Sequence, residues 1–308
     1  MRFAVVIVTY NRIEKLKHSL KCFDEQKTKP EYVIVVDNAS TDGTREFLNE
    51  WKDGSDEYEK ILITNEKNMG GSGGFYVGLE YARKLDVDWI YVSDDDAFVE
   101  ENVIYEAKKY IESNENGNDI SAICATVINN GEIDRTHRRM IVKKKLKLKF
   151  VDTERSQYDK NEFDIDLFSY VGTILNKSKL EQVGITEKDF FIWFDDTEHA
   201  IRLNKVGRII CIPSIRVHHD IETEEANTLN WKGYYGIRNS LYTYKYHFPK
   251  RFYRYEYFRI KARVLLKKIL HRDLVRARLY DAAINDFRRG IKGLHTIYKP
   301  GWKPGQID

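Results

Sequence analysis

Three short runs in the first hundred residues leave few folds open to this chain: Phe3-Ala-Val-Val-Ile-Val8, Tyr32-Val-Ile-Val-Val-Asp37 and Trp89-Ile-Tyr-Val92. Each is apolar almost throughout instead of alternating, as a strand covered on both faces must be. Between them lie helical patterns, Glu14 to Glu25 and Thr41 to Trp51. A strand at Lys60 to Thr64 and a helix from about Gly74 to Leu85 precede the third run, and a helix over Glu101 to Ile111 follows it. Strand and helix in alternation predict an α/β fold: a mostly parallel, nucleotide-binding type of sheet flanked by helices. Ligands of such sheets sit beyond the carboxyl ends of the strands. Asp37, Asn65 and the triplet Asp94, Asp95 and Asp96 all fall at strand ends, so one crevice would gather them.

The triplet is the sharpest chemical signal. Two carboxylates at i and i+2 on extended backbone point the same way, so Asp94 and Asp96 can share a hard divalent cation, Mn2+ or Mg2+, while Asp95 points elsewhere. The plainer alternative is a turn with solvated acids. Asp37 sits where an acid can accept hydrogen bonds from a ribose or a base, and Ser40 or Thr41 after it can cap the next helix. In Asn65-Glu-Lys-Asn-Met-Gly-Gly-Ser-Gly-Gly-Phe75 the glycines would let backbone approach a ligand, and the following helix N-terminus favours an anion. As a dinucleotide fingerprint the stretch fails, because Tyr76 stands where the last glycine belongs. Asp195 and Asp196 follow an aromatic cluster, Phe190 to Phe194, that would exclude water and raise a carboxylate pKa, as a general base requires. Helix capping, with Glu198 and Arg202 paired one turn apart, is the competing reading. His218 and His219 follow an apolar strand, Ile209 to Ile212, and a neutral imidazole there would suit Mn2+.

Further strands are expected at Ile120 to Ile128, Met140 to Val151 and Phe168 to Leu175, and a short helix at Thr197 to Asn204. The lysine-rich Met140 to Val151 stretch reads as a solvated hairpin at a sheet edge. Beyond Phe248, Phe258, Ala262, Leu265 and Ile269, and then Tyr280, Ile284, Phe287, Ile291 and Leu294, recur with helical spacing and predict two amphipathic helices. Between Lys245 and His295 the chain carries fifteen Lys/Arg against four acids, so a net charge of only +3 overall hides a basic end and an acidic remainder. Basic amphipathic helices suit an anionic membrane surface or an oligomer contact. Three well-separated cysteines and no signal-peptide or membrane-spanning run point to a cytoplasmic protein. Two other classes fit less well. A nucleotidyltransferase needs a phosphate-gripping loop after the first strand, where Thr9-Tyr-Asn-Arg12 has none. A nucleic-acid binder using the basic end would be repelled by acids at three strand ends.

In order, "VVIVTYNR", "VVDNASTDGT", "NMGGSGGF", "DDDA", "FDDTE" and "VHH" resemble the family 2 glycosyltransferases of the GT-A fold over roughly residues 3 to 245. Among them the likeness is greatest to galactofuranosyltransferases, with bacterial rhamnosyltransferases close behind. The resemblance implies a catalytic domain over 1–245 and a basic helical extension over 246–308. It implies that Asp94, Asp96 and His219, or His218 in its place, hold a metal that bridges the donor diphosphate. Asp95 would lie near the donor sugar, Thr9 and Asp37 would contact uridine or thymidine, and Asn65, Gly70 and Gly71 would line the donor pocket. Asp196 would be the base, with Asp195 and Trp193 at the acceptor. Transfer would invert the anomeric centre, moving galactofuranose from its UDP donor, or rhamnose from dTDP-rhamnose, to a glycan or polyprenyl-diphosphate-linked acceptor for surface polysaccharide. Such a protein works in the cytoplasm, peripheral at the inner membrane face, free of nucleic acid and with the extension as an oligomer contact. Two departures stand out: Asp195-Asp196 replaces the family's more usual Glu-Asp, and the chain lacks the long extra domain of polymerising relatives.

Overall fold

The computed structural model describes residues 1–54, 57–114, 119–220 and 229–305. The first half alternates as expected. Strand β1 (Phe3–Thr9) leads to α1 (Ile13–Asp24), β2 (Tyr32–Asp37) to α2 (Thr44–Asp53), and β3 (Glu59–Thr64) to α3 (Gly70–Ala82). Then β4 (Trp89–Asp94) passes through the short β5 (Ala97–Val99) to α4 (Val103–Ser113). The four longer strands pair in parallel in the order β3, β2, β1, β4. Alternate residues of β1 explain its unbroken apolarity. Phe3, Val5 and Ile7 join one core with Leu16, Leu20 and Phe23 of α1. Ala4, Val6 and Val8 join a second core with Phe75 and Leu79 of α3 on the other face.

The second half closes the sheet. It comprises β6 (Ile120–Asn129), β7 (Glu132–Ile133), β8 (Arg138–Lys144), β9 (Lys147–Asp152), β10 (Phe163–Ile165), β11 (Leu167–Phe168), β12 (Thr173–Asn176), α5 (Lys177–Val183), α6 (Asp195–Leu203) and β13 (Arg208–His219). Strand β12 inserts antiparallel between β4 and β6, and β13 runs parallel to β6. Three expectations shift here. The lysine-rich hairpin is not an edge of the main sheet: β8 and β9 form a separate sheet with β11. Its lysines are solvated, while Leu148, Ile141 and Phe150 pack against Tyr244 and Phe252. The last strand does not stop at Ile212 but continues past Pro213, with a register shift before Arg216, to His219. Helix α6 starts at Asp195, two residues early, so both acids lie in its first turn.

Three helices complete the chain: α7 (Lys232–His247), α8 (Lys250–Ile269) and α9 (Leu274–Arg289). They pack on one another, with Leu241 and Tyr242 of α7, Ile260 and Val264 of α8, and Ile284 and Phe287 of α9 in one core. A boundary at 245 therefore cuts through α7, and the helical unit begins near Lys232. The predicted apolar stripe of α8 lies on its outer side. Phe252, Ile260 and Val264 are its buried residues, whereas Phe258, Leu265 and Ile269 face outward. Helix α9 ends at Arg289, so Ile291 and Leu294 are not helical and stand exposed.

Candidate active site

The glycine-rich stretch is mostly helix. Gly74 and Gly78 lie on α3 where it crosses β1: a Cβ on Gly74 would meet Val8 Cγ1 at 2.4 Å, and one on Gly78 would meet Val6 Cγ1 at 2.4 Å. These glycines serve close helix–sheet packing. Gly70 has a left-handed φ of 74° and abuts the carbonyl of Phe191, whereas Gly71 faces open space. That space is a cleft of about 330 Å³ at the carboxyl ends of β1 and β4, bounded by Thr9, Arg12, Asn38, Gly71, Asp94 and Asp95. Phe191, Trp231, Lys232 and Pro300 close it from the helical side. A larger open groove of about 700 Å³ lies at the opposite strand ends, by Asp88, Trp89 and Asn176. It lacks the strand-end acids, and the topology favours the carboxyl side.

The acids of the triplet differ in their surroundings. Thr9 Oγ1 donates to Asp95 Oδ2 at 2.6 Å, and Arg12 Nη1 donates to Asp95 Oδ1 at 2.9 Å and to Asp96 Oδ2 at 2.7 Å. Burial pushes the Asp95 carboxyl up to about 6 against the pull of Arg12 and Thr9. Burial first, and Asp96 second, raise Asp94. Burial opposes Asp96 too, but His219 and Arg12 hold it below the ordinary carboxylate value. Arg12 was not singled out by sequence reasoning, although a cation at the exit of the first strand is the natural companion of three acids at the exit of its neighbour.

Strand alternation separates the two histidines. His219 Nε2 lies 3.4 Å from Asp96 Oδ1, while His218 points outward to Glu100 Oε1 at 3.1 Å. Asp96 Oδ1 and His219 Nδ1 are buried without a hydrogen-bond partner, lone pairs that a cation would use. Among the described residues no three His, Cys, Asp or Glu side chains converge on one point. Carboxylate and imidazole are donor types that suit a hard divalent ion completed by phosphate and water; Asp94, which lines the cleft, and the Asp96–His219 pair beside it are the residues that could supply them. His137, also unforeseen, stands edge-on to His219 with ring centres 5.2 Å apart and accepts or donates at Ser169 Oγ, 2.6 Å away.

Asp37 and Asn65 do not line the cleft but brace its wall. Asp37 Oδ1 accepts from Ser40 N at 2.9 Å, and its Oδ2 is buried without a hydrogen bond, 3.7 Å from Arg45 Nε. Asn65 Nδ2 donates to Asn38 Oδ1 at 3.1 Å, and Asn38 Nδ2 donates to Gly70 O at 2.9 Å. Asn38 and Asn68, which sequence reasoning passed over, are the members of this network on the cleft itself.

Across the cleft stands the run 190–194, which lines it through Phe191 and Ile192 and leads into Asp195 and Asp196 in the first turn of α6. Phe191, Trp193 and Phe194 all have left-handed backbone, φ 69°, 63° and 71°, a strained run that needs outside support. Helix α7 supplies it. Asn239 Nδ2 lies 2.9 Å from the carbonyls of Phe190, Ile192 and Trp193, and the buried Arg238 donates to Phe190 O at 3.0 Å and Gly293 O at 2.7 Å. Trp193 is 46% exposed and lies against Gly236, where a Cβ would come within 3.0 Å of its ring. Burial, then Asp196, push Asp195 well up, and Asp94 adds to the shift, which puts the two acid groups within electrostatic reach. Burial also raises Asp196 against the pull of Arg139 and Thr197. Asp196 Oδ1 accepts from Thr197 N at 2.5 Å inside the first turn, but the residue at the N-cap is Phe194 and no side chain caps the helix, so neither acid acts as the cap that the competing reading expects. Glu198 and Arg202 pair as expected, at 2.8 Å.

Residues 4–182 match the model of glycosyl transferase family 2. The chain is 26% identical over 203 residues to galactofuranosyltransferase GlfT1 of Mycolicibacterium smegmatis, covering 66% of this chain and 65% of that protein, just under two thirds of its length. It is 28% identical over 258 residues to dTDP-rhamnosyl transferase RfbF of Shigella flexneri, covering 79% and 80% of the two chains. Among solved structures, GalNAc-T7 with UDP, GalNAc and Mn2+ superposes with a TM-score of 0.65 at 14% identity, over 94% of this chain and 56% of that one. That likeness is one of fold.

Proposed function

The chain belongs to glycosyl transferase family 2, and from that premise we propose that it is an inverting, metal-dependent glycosyltransferase that draws a sugar from a nucleotide diphosphate. The observation that carries this reading is the meeting of Asp94, Asp95, Thr9 and Arg12 at one cleft, with Asp96 bonded to Arg12 beside it and a second acid pair within electrostatic reach of Asp94. Asp94, Asp96 and His219 would hold Mn2+ or Mg2+, whose contribution is to offset the charge that builds on the departing diphosphate. Arg12 neutralises the acids of the free protein and is placed to turn to a phosphate oxygen. Asp95, held by Thr9 and Arg12, faces the donor, and Gly71 leaves room for it.

Asp196, its pKa raised by burial, takes the proton as the acceptor oxygen bonds to the anomeric carbon. The bond from that carbon to the β-phosphate oxygen breaks, and the nucleoside diphosphate leaves. Attack from the face opposite the leaving group inverts the centre. Trp193 offers its exposed ring as a wall for the acceptor sugar.

UDP-galactofuranose is the favoured donor, supported by the name of the M. smegmatis relative. dTDP-rhamnose is the second reading, favoured by the fuller coverage of the S. flexneri relative. A melting panel with UDP, dTDP and GDP, each with and without Mn2+, separates them: a ligand at a hundredfold excess over its Kd adds about 2.7 kcal/mol to the folded state. UDP with Mn2+ should give the largest rise in Tm. Asp196→Asn should keep that rise while transfer falls roughly 10²- to 10⁴-fold. Transfer by that variant at the wild-type rate would remove Asp196 as the base.

A further inference from the structure

Helix α8 is apolar on the side that faces away from the protein. Opposite its buried residues, Phe258 is 63% exposed, Leu265 58%, Leu266 56%, Ile269 63% and Leu270 52%. Spacings of seven and four place Phe258, Leu265 and Ile269 on one stripe. Exposed Arg251, Arg254, Lys261 and Arg263 flank it. The tip of the β8–β9 hairpin continues the surface. Lys147 Nζ lies 5.9 Å from the centre of the Tyr255 ring, and the half-exposed Leu146 shares a shallow depression with Arg254 and Phe258. Acids near this face are already matched: Glu256 with Arg259, Asp273 with Lys267 and Asp281 with Lys268.

We propose that the outer side of α8, together with the tip of the β8–β9 hairpin, docks on an anionic lipid bilayer. A contiguous patch of large apolar side chains on a water-facing helix marks a surface that something covers. A row of cations on both borders selects a negatively charged cover. A second copy placed across a two-fold axis would set Arg254 and Lys261 of one chain against the same residues of the other, which is unfavourable. A nucleic acid would take the cations but leave the leucines in water. A lipid interface takes both, with the stripe at the headgroup–acyl boundary and the cations on phosphates. Among the described residues no helix is long and apolar enough to cross a membrane, so α8 lies in the interface plane. No residue of this face lines the strand-end cleft, and the proposal does not depend on which sugar is moved.

Flotation of the full chain with vesicles tests it. Phosphatidylcholine mixed with phosphatidylglycerol should float at least about tenfold more protein than phosphatidylcholine alone, and added salt should reverse the difference. Leu265→Ser with Ile269→Ser, and separately Arg254→Glu with Lys261→Glu, should each lower binding by roughly an order of magnitude. Both pairs are exposed, so melting temperatures should match the wild type, and if one pair fails to fold the other decides. Equal flotation on neutral vesicles, or binding unchanged in a folded pair, overturns the proposal. So does a wild-type dimer in sedimentation velocity that Leu265→Ser with Ile269→Ser converts to monomer, because the face would then be covered by a second copy.

Discussion

At the scale of single residues, the cleft is built from carboxyls held where water would not leave them. Asp195 is 6% exposed and its pKa is raised by burial and by Asp196. An acid whose folded pKa lies above its unfolded value binds more protons folded than unfolded between the two. Stability then falls as pH rises through that interval. Asp195→Asn should therefore melt above the wild type at pH 8, by about 2 °C or more, and the gap should close as pH falls to 5 and the native carboxyl takes up its own proton. A wild-type melting curve that rises with pH relative to the variant would contradict the assignment. Glu198 behaves oppositely: despite burial, His247 and Arg202 hold it down to about 2, so its contribution persists above the unfolded carboxylate pKa and is lost toward strong acid. The triplet and the Asp195–Asp196 pair were legible in the sequence because charge at the end of an apolar strand, or after an aromatic run, is locally anomalous. Arg12, Asn38 and His137 were not, because each is ordinary where it stands and gains its meaning from partners 27 or more positions away.

At the scale of elements, the parallel half of the sheet could be read from β-branched runs alone, since burial on both faces leaves little latitude. The helices that follow were placed within a few residues. The stretch 70–73 reads as loop because glycine is a poor helix former, yet α3 begins at Gly70, and beyond that stretch Val8 and Val6 leave no room for a Cβ on Gly74 and Gly78. On α8 the spacing predicts a stripe and the structure turns it outward, since periodicity reports that a stripe exists, not which side meets the protein. Element scale is also where Asn239 acts. Its amide is shared by three carbonyls of the left-handed run that precedes Asp195. Asn239→Ala should cost about 1–3 kcal/mol through unpaired buried carbonyls, read as a lower Tm. It should also lower kcat more than it raises the donor KM, since the carbonyls it holds lead directly into the turn of the proposed base, Asp196, while most of the cleft lining comes from other elements. An unchanged ratio of the two would make Asn239 purely structural.

For the molecule as a whole, the helical unit is part of the site and not an appendage. Pro300 closes the cleft, and the segment that carries it is anchored by Tyr298, 3% exposed, and Trp302, 7% exposed, against Tyr234 and Tyr235 of α7. Trp302→Ala should cost about 3–5 kcal/mol and raise the Kd for UDP, measured by the Mn2+-dependent melting shift. A variant that melts lower with donor affinity intact would detach Pro300 from binding. The Arg238 bond to Gly293 has a consequence for the order in which the protein becomes competent. Synthesis delivers the amino end first, so the strands of the sheet precede both the helix that supports the run before Asp195 and the residues that close the cleft from the helical side. A molecule cut before Gly293 would lose the anchor of Arg238 and the Pro300 side of the cleft in one stroke, so nucleotide retention and turnover would fail together.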